Sequence, residues 1–245
     1  MQVFGATKNP ALAIVGCQHG DELLGQQVID RYRQNLEPYP GLQLVLANEE
    51  ALALGQRGVD GDLNRSYPGD PNGNHEERLA AKIMKTVADA EFVLDLHTTK
   101  SEVDVFPIIV RYDDKVRRLL NATDYTQVAY MDLPHGGRNS GLANFSGAGL
   151  ALEFYDKYVN KKFDEVYAGI DTIVRRILAR ETRPPQTREI FHVTELTPWK
   201  GTEGFDLHNF KYSEALGGYS VIPDGISYRG KHRGFTARER LVEPV

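Results

Sequence analysis

A single cysteine, Cys17, stands in a chain of 245 residues, so no internal disulfide can form and a buried core must hold the fold. Long apolar runs are missing too. The strongest, Ala11 to Gly16 and Phe106 to Val110, fall far short of the roughly 18 residues that a membrane-spanning helix needs, and no membrane partner is expected. Basic residues are in deficit, with 29 Lys and Arg against 34 Asp and Glu. Both signs are interspersed, so no basic stripe exists to release counterions from a nucleic acid, and no such partner is expected. The amino-terminal stretch lacks the basic and apolar blocks of a signal peptide, which points to a cytoplasmic location. Three common signatures are also absent: the Gly-x-x-x-x-Gly-Lys-Ser/Thr phosphate loop, the Gly-x-Gly-x-x-Gly turn after a strand, and the Gly-x-Ser-x-Gly elbow.

With 41% hydrophobic and 26% charged residues, what is present is the composition of an ordinary globular protein. Ala11 to Val15 is a short apolar run stopped by Gly16, the pattern of a buried parallel strand. Leu24, Val28 and Tyr32 recur at four-residue spacing, which predicts a helix starting near Asp21 and ending before Pro38. Gly41 to Ala47 holds a second strand. Leu79, Ile83 and Val87 mark another amphipathic helix, Glu91 to Leu96 another strand, and Val103 to Val110 and Leu150 to Phe154 two more. Phe163, Val166, Tyr167, Ile170, Val174 and Ile177 form the longest helical stripe. Such alternation predicts an α/β fold. The stretch from Arg57 to Asn74 is rich in Gly, Asp, Asn and Pro and has neither period, and loops of that length are usually functional. Thr182 to Thr187, with Pro184 and Pro185, reads as a linker. Beyond it, Gly-Gly and Pro-Asp-Gly turn signals separate β-branched and aromatic residues. The expected division is therefore residues 1–183 as the catalytic unit and 184–245 as a small β-rich carboxy-terminal subdomain.

His19 and Glu22 lie three residues apart just past the first strand, which puts both side chains on one face of a helical turn. With seven histidines in the chain, one such pair arises by accident, and His192 with Glu195 has no strand-to-helix context and is taken as that accident. His97 supports the first pair. It closes a strand, His19 follows the carboxyl end of another, and ligands of open α/β sheets bind beyond those ends. Two histidines and a carboxylate with a fourth position left to water are a ligand set of catalytic zinc, one ion per chain. The long loop holds Arg57 and Asp62-Leu63-Asn64-Arg65. An EF-hand is excluded there, because Arg65 and Pro71 stand where Gly and Glu are required. Two arginines beside an asparagine suit recognition of an anion instead. Glu153 sits inside the apolar run Leu150 to Phe154, where a carboxylate needs a partner: a structural arginine, or a role as general base near a metal. Cys17 reads as a small buried residue.

In that order, His19-x-x-Glu22, Arg57, Asp62-Leu63-Asn64-Arg65, Asp95-Leu96-His97 and Glu153 resemble the succinylglutamate desuccinylase and aspartoacylase family, a branch of the zinc carboxypeptidase superfamily. The resemblance covers about residues 11 to 155. It implies a mixed central sheet flanked by helices and a smaller β-rich carboxy-terminal domain. It also implies that His19, Glu22 and His97 are the zinc ligands and that Arg57 polarises the scissile carbonyl. Asn64 and Arg65 match the pair that holds the substrate carboxylate, and Glu153 the general base. The 78 positions from His19 to His97 are few for this family and imply the absence of a surface insertion found in larger members. Arg138 is the candidate for a further substrate-binding arginine, while Tyr67, Tyr155, Tyr212 and Tyr228 are unranked candidates for a tyrosine.

The implied activity is zinc-dependent hydrolysis of the amide bond of an N-acyl amino acid or a similar small carboxylated amide. A carboxypeptidase acting on peptides would use the same residues. A metal-stabilised binding protein would not need the base at Glu153.

Overall fold

Eleven strands form one mixed sheet in the computed structural model, which describes residues 1–133, 141–223 and 232–245. The first half builds its parallel centre. β1 (Gln2–Gly5) lies antiparallel on β3 (Leu42–Leu46), β3 runs parallel to β2 (Leu12–Gly16), and β2 runs parallel to β4 (Phe92–Thr99). Every residue of β2 and β3 is buried, as strands covered by helices on both faces are, and the one polar side chain among them, Gln43, donates to the Ala6 carbonyl. α1 (Leu24–Arg33) follows β2 and buries Leu24, Val28 and Tyr32. α2 (Glu49–Leu54) begins at Asn48, whose side chain accepts the Ala51 amide, and ends at the left-handed Gly55. α3 (His75–Val87) starts with a reciprocal capping box between Asn74 and Glu77. The long loop is not wholly irregular: Leu63–Arg65 forms a 3-10 turn capped by Asp62.

The chain then crosses the sheet centre. β7 (Gly149–Tyr155) pairs parallel with β4, while β5 (Phe106–Ile109) lies antiparallel on its other side and parallel to β6 (Gln127–Met131). α4 (Asp114–Asn121) links β5 to β6, α5 (Leu142–Phe145) precedes β7, and α6 (Asp156–Leu178) follows it. The carboxy-terminal strands continue the same sheet. β8 (Thr187–Pro198) pairs parallel with β6 and antiparallel with β11 (His232–Pro244), which carries β10 (Gly218–Val221) and then β9 (Tyr212–Ser213).

Strand alternation divides the core. Ile14, Leu94, Leu96, Leu150 and Leu152 face one cluster with residues of α1, α4 and α6, whereas Val15, Val93 and Ala13 face another with Ile83, Leu63 and Tyr67. Asp95 and His97 share the parity of Val93, so they stand on the α3 side of the sheet. That face carries the polar site.

Candidate active site

β2 ends at Gly16, and Cys17 turns the chain in the left-handed region at φ 55°. The next residues form a turn in which the Glu22 amide donates to the His19 carbonyl at 3.2 Å. That turn brings the two side chains together. Gly20 permits it, since a Cβ there would fall 2.0 Å from the Ala51 carbonyl carbon.

One ligand atom from each of His19, Glu22 and His97 lies within 4.8 Å of the others, and all three residues are buried. Glu22 is the centre. Its Oε1 meets His19 Nδ1 at 2.7 Å and its Oε2 meets His97 Nδ1 at 3.0 Å. The outer nitrogens meet carboxylates: His19 Nε2 lies 3.0 Å from Asp62 Oδ1, and His97 Nε2 lies 2.9 Å from Asp95 Oδ2. Asp95 also accepts from buried Gln18. Tetrahedral zinc with bonds of about 2.1 Å holds its ligand atoms about 3.4 Å apart, a span inside the 4.8 Å that bounds this set, and two imidazoles with a carboxylate are donors that such an ion takes. Carboxylates behind both imidazoles are the usual outer partners of metal-binding histidines.

The electrostatics follow from burial and opposite charge. Burial alone would raise the Glu22 carboxyl, but the two imidazoles hold it well below its ordinary range. Burial would lower His19 and His97, yet the charge of Glu22 with Asp62 raises the first, and Asp95 with Glu22 raises the second.

Glu153 pairs in register with His97 across the parallel β4 and β7, which places both side chains on one face. Burial pushes its carboxyl up to about 7, with His97 opposing and Glu22 reinforcing the shift. Arg57 lies at the rim, exposed, with Nε 3.0 Å from Asp62 Oδ2 and Nη1 3.4 Å from Glu22 Oε1. Asn64 and Arg65 stand on the 3-10 turn immediately after Asp62, and the Asn64 amide donates to Asp62 Oδ1 at 3.0 Å. A Cβ on Gly141 would fall 2.6 Å from Asn64 Oδ1, so that side chain reaches the segment leading to α5. Arg138 and Tyr228 lie outside the described residues. Tyr67 is buried, Tyr155 half-buried and Tyr212 exposed. His192 and Glu195 part company on β8: His192 faces Asp132 at 3.1 Å while Glu195 pairs with Arg238 at 2.6 Å. A cavity of about 1110 Å³ between the 100–105 loop and the start of α6 has none of the cluster residues in its walls.

Sequence reasoning assigned no role to Asp62 or Asp95. Asp95 had a signal, because a residue two before a strand histidine shares its face. Asp62 had none beyond the loop that carries it.

Residues 8–159 match the model of the succinylglutamate desuccinylase/aspartoacylase catalytic domain. The chain belongs to that family. Family relatives include a probable aspartoacylase of Trichodesmium erythraeum, 28% identical over 163 residues, which make up 58% of this chain and 54% of that protein. An N-alpha-acetyl-L-2,4-diaminobutyric acid deacetylase of Halomonas elongata is 31% identical over 108 residues, 41% of this chain and 32% of that protein. The matched stretch thus spans about half or less of these curated relatives. The crystal structure of murine aminoacylase 3 has the same fold, with a TM-score of 0.76 at 20% identity over 98% of each chain. This family fold is the mixed sheet flanked by helices that the motif order implied. No helix among the described residues is long and apolar enough to cross a membrane.

Proposed function

We propose that this protein is a zinc-dependent deacylase that hydrolyses the amide bond of an N-acyl amino acid or a similar small carboxylated amide. The observation that carries the reading is the buried set of His19, Glu22 and His97 with Glu153 beside it on one sheet face. Family membership and the deacetylase of Halomonas elongata support it. His19, Glu22 and His97 would hold one zinc ion, which supplies Lewis acidity toward a carbonyl and acidifies water. Glu153, a carboxylate whose burial favours a bound proton, takes the proton of the attacking water and passes it to the amine nitrogen as the carbon–nitrogen bond breaks. Arg57 faces the negative charge that grows on the carbonyl oxygen. Asn64 and Arg65 bind the substrate carboxylate, and Arg138 is proposed to assist them. In a protein of net charge −5, an anionic substrate depends on this local positive charge.

The test is amine release from a panel of N-acyl amino acids and short peptides, with Glu153→Gln as the control. Wild type should turn over the acyl amino acids, and Glu153→Gln should keep its metal while losing about 10²–10⁴-fold in kcat. Release of carboxy-terminal residues from peptides alone would make the enzyme a carboxypeptidase. Full turnover by Glu153→Gln would remove that residue from the mechanism.

A further inference from the structure

Glu76 is a fully buried carboxylate on the first turn of α3, and no cation pairs with it among the described residues. A buried charge without a counterion needs hydrogen bonds instead. It has three donors. The Val59 and Asp60 amides reach Oε1 and Oε2 at 2.7 and 3.0 Å, and Asn48 Nδ2 reaches Oε1 at 3.3 Å. The amino end of α3 adds the favourable end of a helix dipole.

The bonds converge on the turn between Arg57 and Asp62. A Cβ on Gly58 would lie 1.8 Å from the Gly61 carbonyl oxygen and 3.2 Å from Glu76 Oε1, so the turn closes around the carboxylate only with glycine there. The turn folds the chain back, and Arg57 and Asp62 meet each other and the cluster on the same side. Asn48 ties the assembly to the other half of the site. Its backbone amide donates to the Cys17 carbonyl at 3.0 Å, two residues before His19, and the Gly20 amide reaches the Arg57 carbonyl at 3.4 Å.

We propose that Glu76 is a positioning residue for the reaction: its carboxylate clamps the 58–61 turn so that Arg57 is aimed at the reacting carbonyl and Asp62 at His19. The proposal rests on the function given above to Arg57 and the cluster. A structural carboxylate that merely closes α3 would contribute to stability alone. A positioning residue acts through Arg57 and Asp62, and that difference is measurable.

The experiment compares Glu76→Gln, Arg57→Ala and the double variant in the full chain, with Glu76→Asp as a second variant that keeps the charge but shortens its reach. Glutamine must present an amide donor to one of two amide donors, so one bond is lost without loss of volume. In Glu76→Gln, kcat on the preferred N-acyl amino acid should fall on the order of tenfold or more while KM changes less than about threefold, and affinity for zinc alone should weaken by about tenfold. In the Arg57→Ala background the same change should lower kcat by a clearly smaller factor than in wild type, because the Arg57 route is already lost and only the Asp62 route remains. Hydrogen exchange at the Val59 and Asp60 amides should quicken in both Glu76 variants. Multiplying losses in the double variant, or unchanged kcat in Glu76→Gln and Glu76→Asp, would overturn the proposal. Should wild type hydrolyse none of the panel, the proposed function fails by itself. Glu76 is then judged on zinc affinity, and the proposal falls if that affinity does not weaken.

Discussion

Each imidazole of the cluster has Nδ1 toward Glu22 and Nε2 toward a carboxylate of its own, Asp62 or Asp95. All four imidazole nitrogens thus have a carboxylate oxygen within hydrogen-bond distance. Because both histidines are raised above 6.5, uptake of the proposed zinc would displace their protons. Apparent zinc affinity should rise with pH through and above that range, and calorimetry in buffers of different ionisation enthalpy should show proton release. The stability linkage has the opposite sign for the metal-free protein. Raised histidines stabilise it fully below about 6.5, and this support is lost as pH climbs through their folded values. The lowered Glu22 acts conversely, contributing above about 4.5 and failing as pH falls through its folded value. His97→Ala should lose most of its zinc on metal analysis. Stoichiometric zinc in that variant, or affinity independent of pH, would contradict the ligand set.

At the scale of elements, three arginines converge on the carboxyl end of α4. Arg188 is completely buried and donates to the carbonyls of Leu120 at 2.9 Å, Thr123 at 3.1 Å and Tyr125. Arg183 reaches the Asn121 carbonyl at 2.9 Å and Arg176 the Ala122 carbonyl at 3.1 Å. Leu120 and Asn121 end the helix and Ala122, Thr123 and Tyr125 follow it, so the guanidinium groups gather at the negative end of the helix dipole. Burial, and then the like charge of Arg183, lower the Arg188 pKa. Arg188→Met should lower stability by roughly 2–4 kcal/mol in denaturant titration, because several buried carbonyls lose their donors. A loss below about 0.5 kcal/mol would show that water replaces the guanidinium. α4 had little sequence signal: eight residues carry only two turns, and its stripe of Val116, Leu119 and Leu120 is short. β1 and α2, at four and six residues, are likewise below the length at which a period is legible.

Over the whole molecule, the change of composition at Pro184 falls within one continuous sheet. β8 registers with β6 from Gln127 opposite Glu189 to Met131 opposite Val193. Its apolar residues share a cluster with β5, β6 and the last strands, including Phe106, Ala129, Phe191 and Phe235. Residues 1–183 and 184–245 are accordingly proposed as units of role, the first holding the cluster and the second bounding substrate access. Their stability should be joint. Calorimetry is expected to give one unfolding transition, whereas two resolved transitions would establish a separable carboxy-terminal unit.

The central strands and the stripes of α1, α3 and α6 were legible because burial imprints a period on neighbouring residues. The spacing of His19 and Glu22, and the strand that carries His97, were legible for the same local reason, although that strand runs on to Thr99 rather than closing at His97. The order in which strands lie side by side has no such imprint. That β5 enters antiparallel next to β7, that Glu153 registers with His97, and that Glu76 meets Val59 and Asp60 are decided by tertiary packing. Such contacts join residues with no shared period, and only the burial of whole elements against one another selects them.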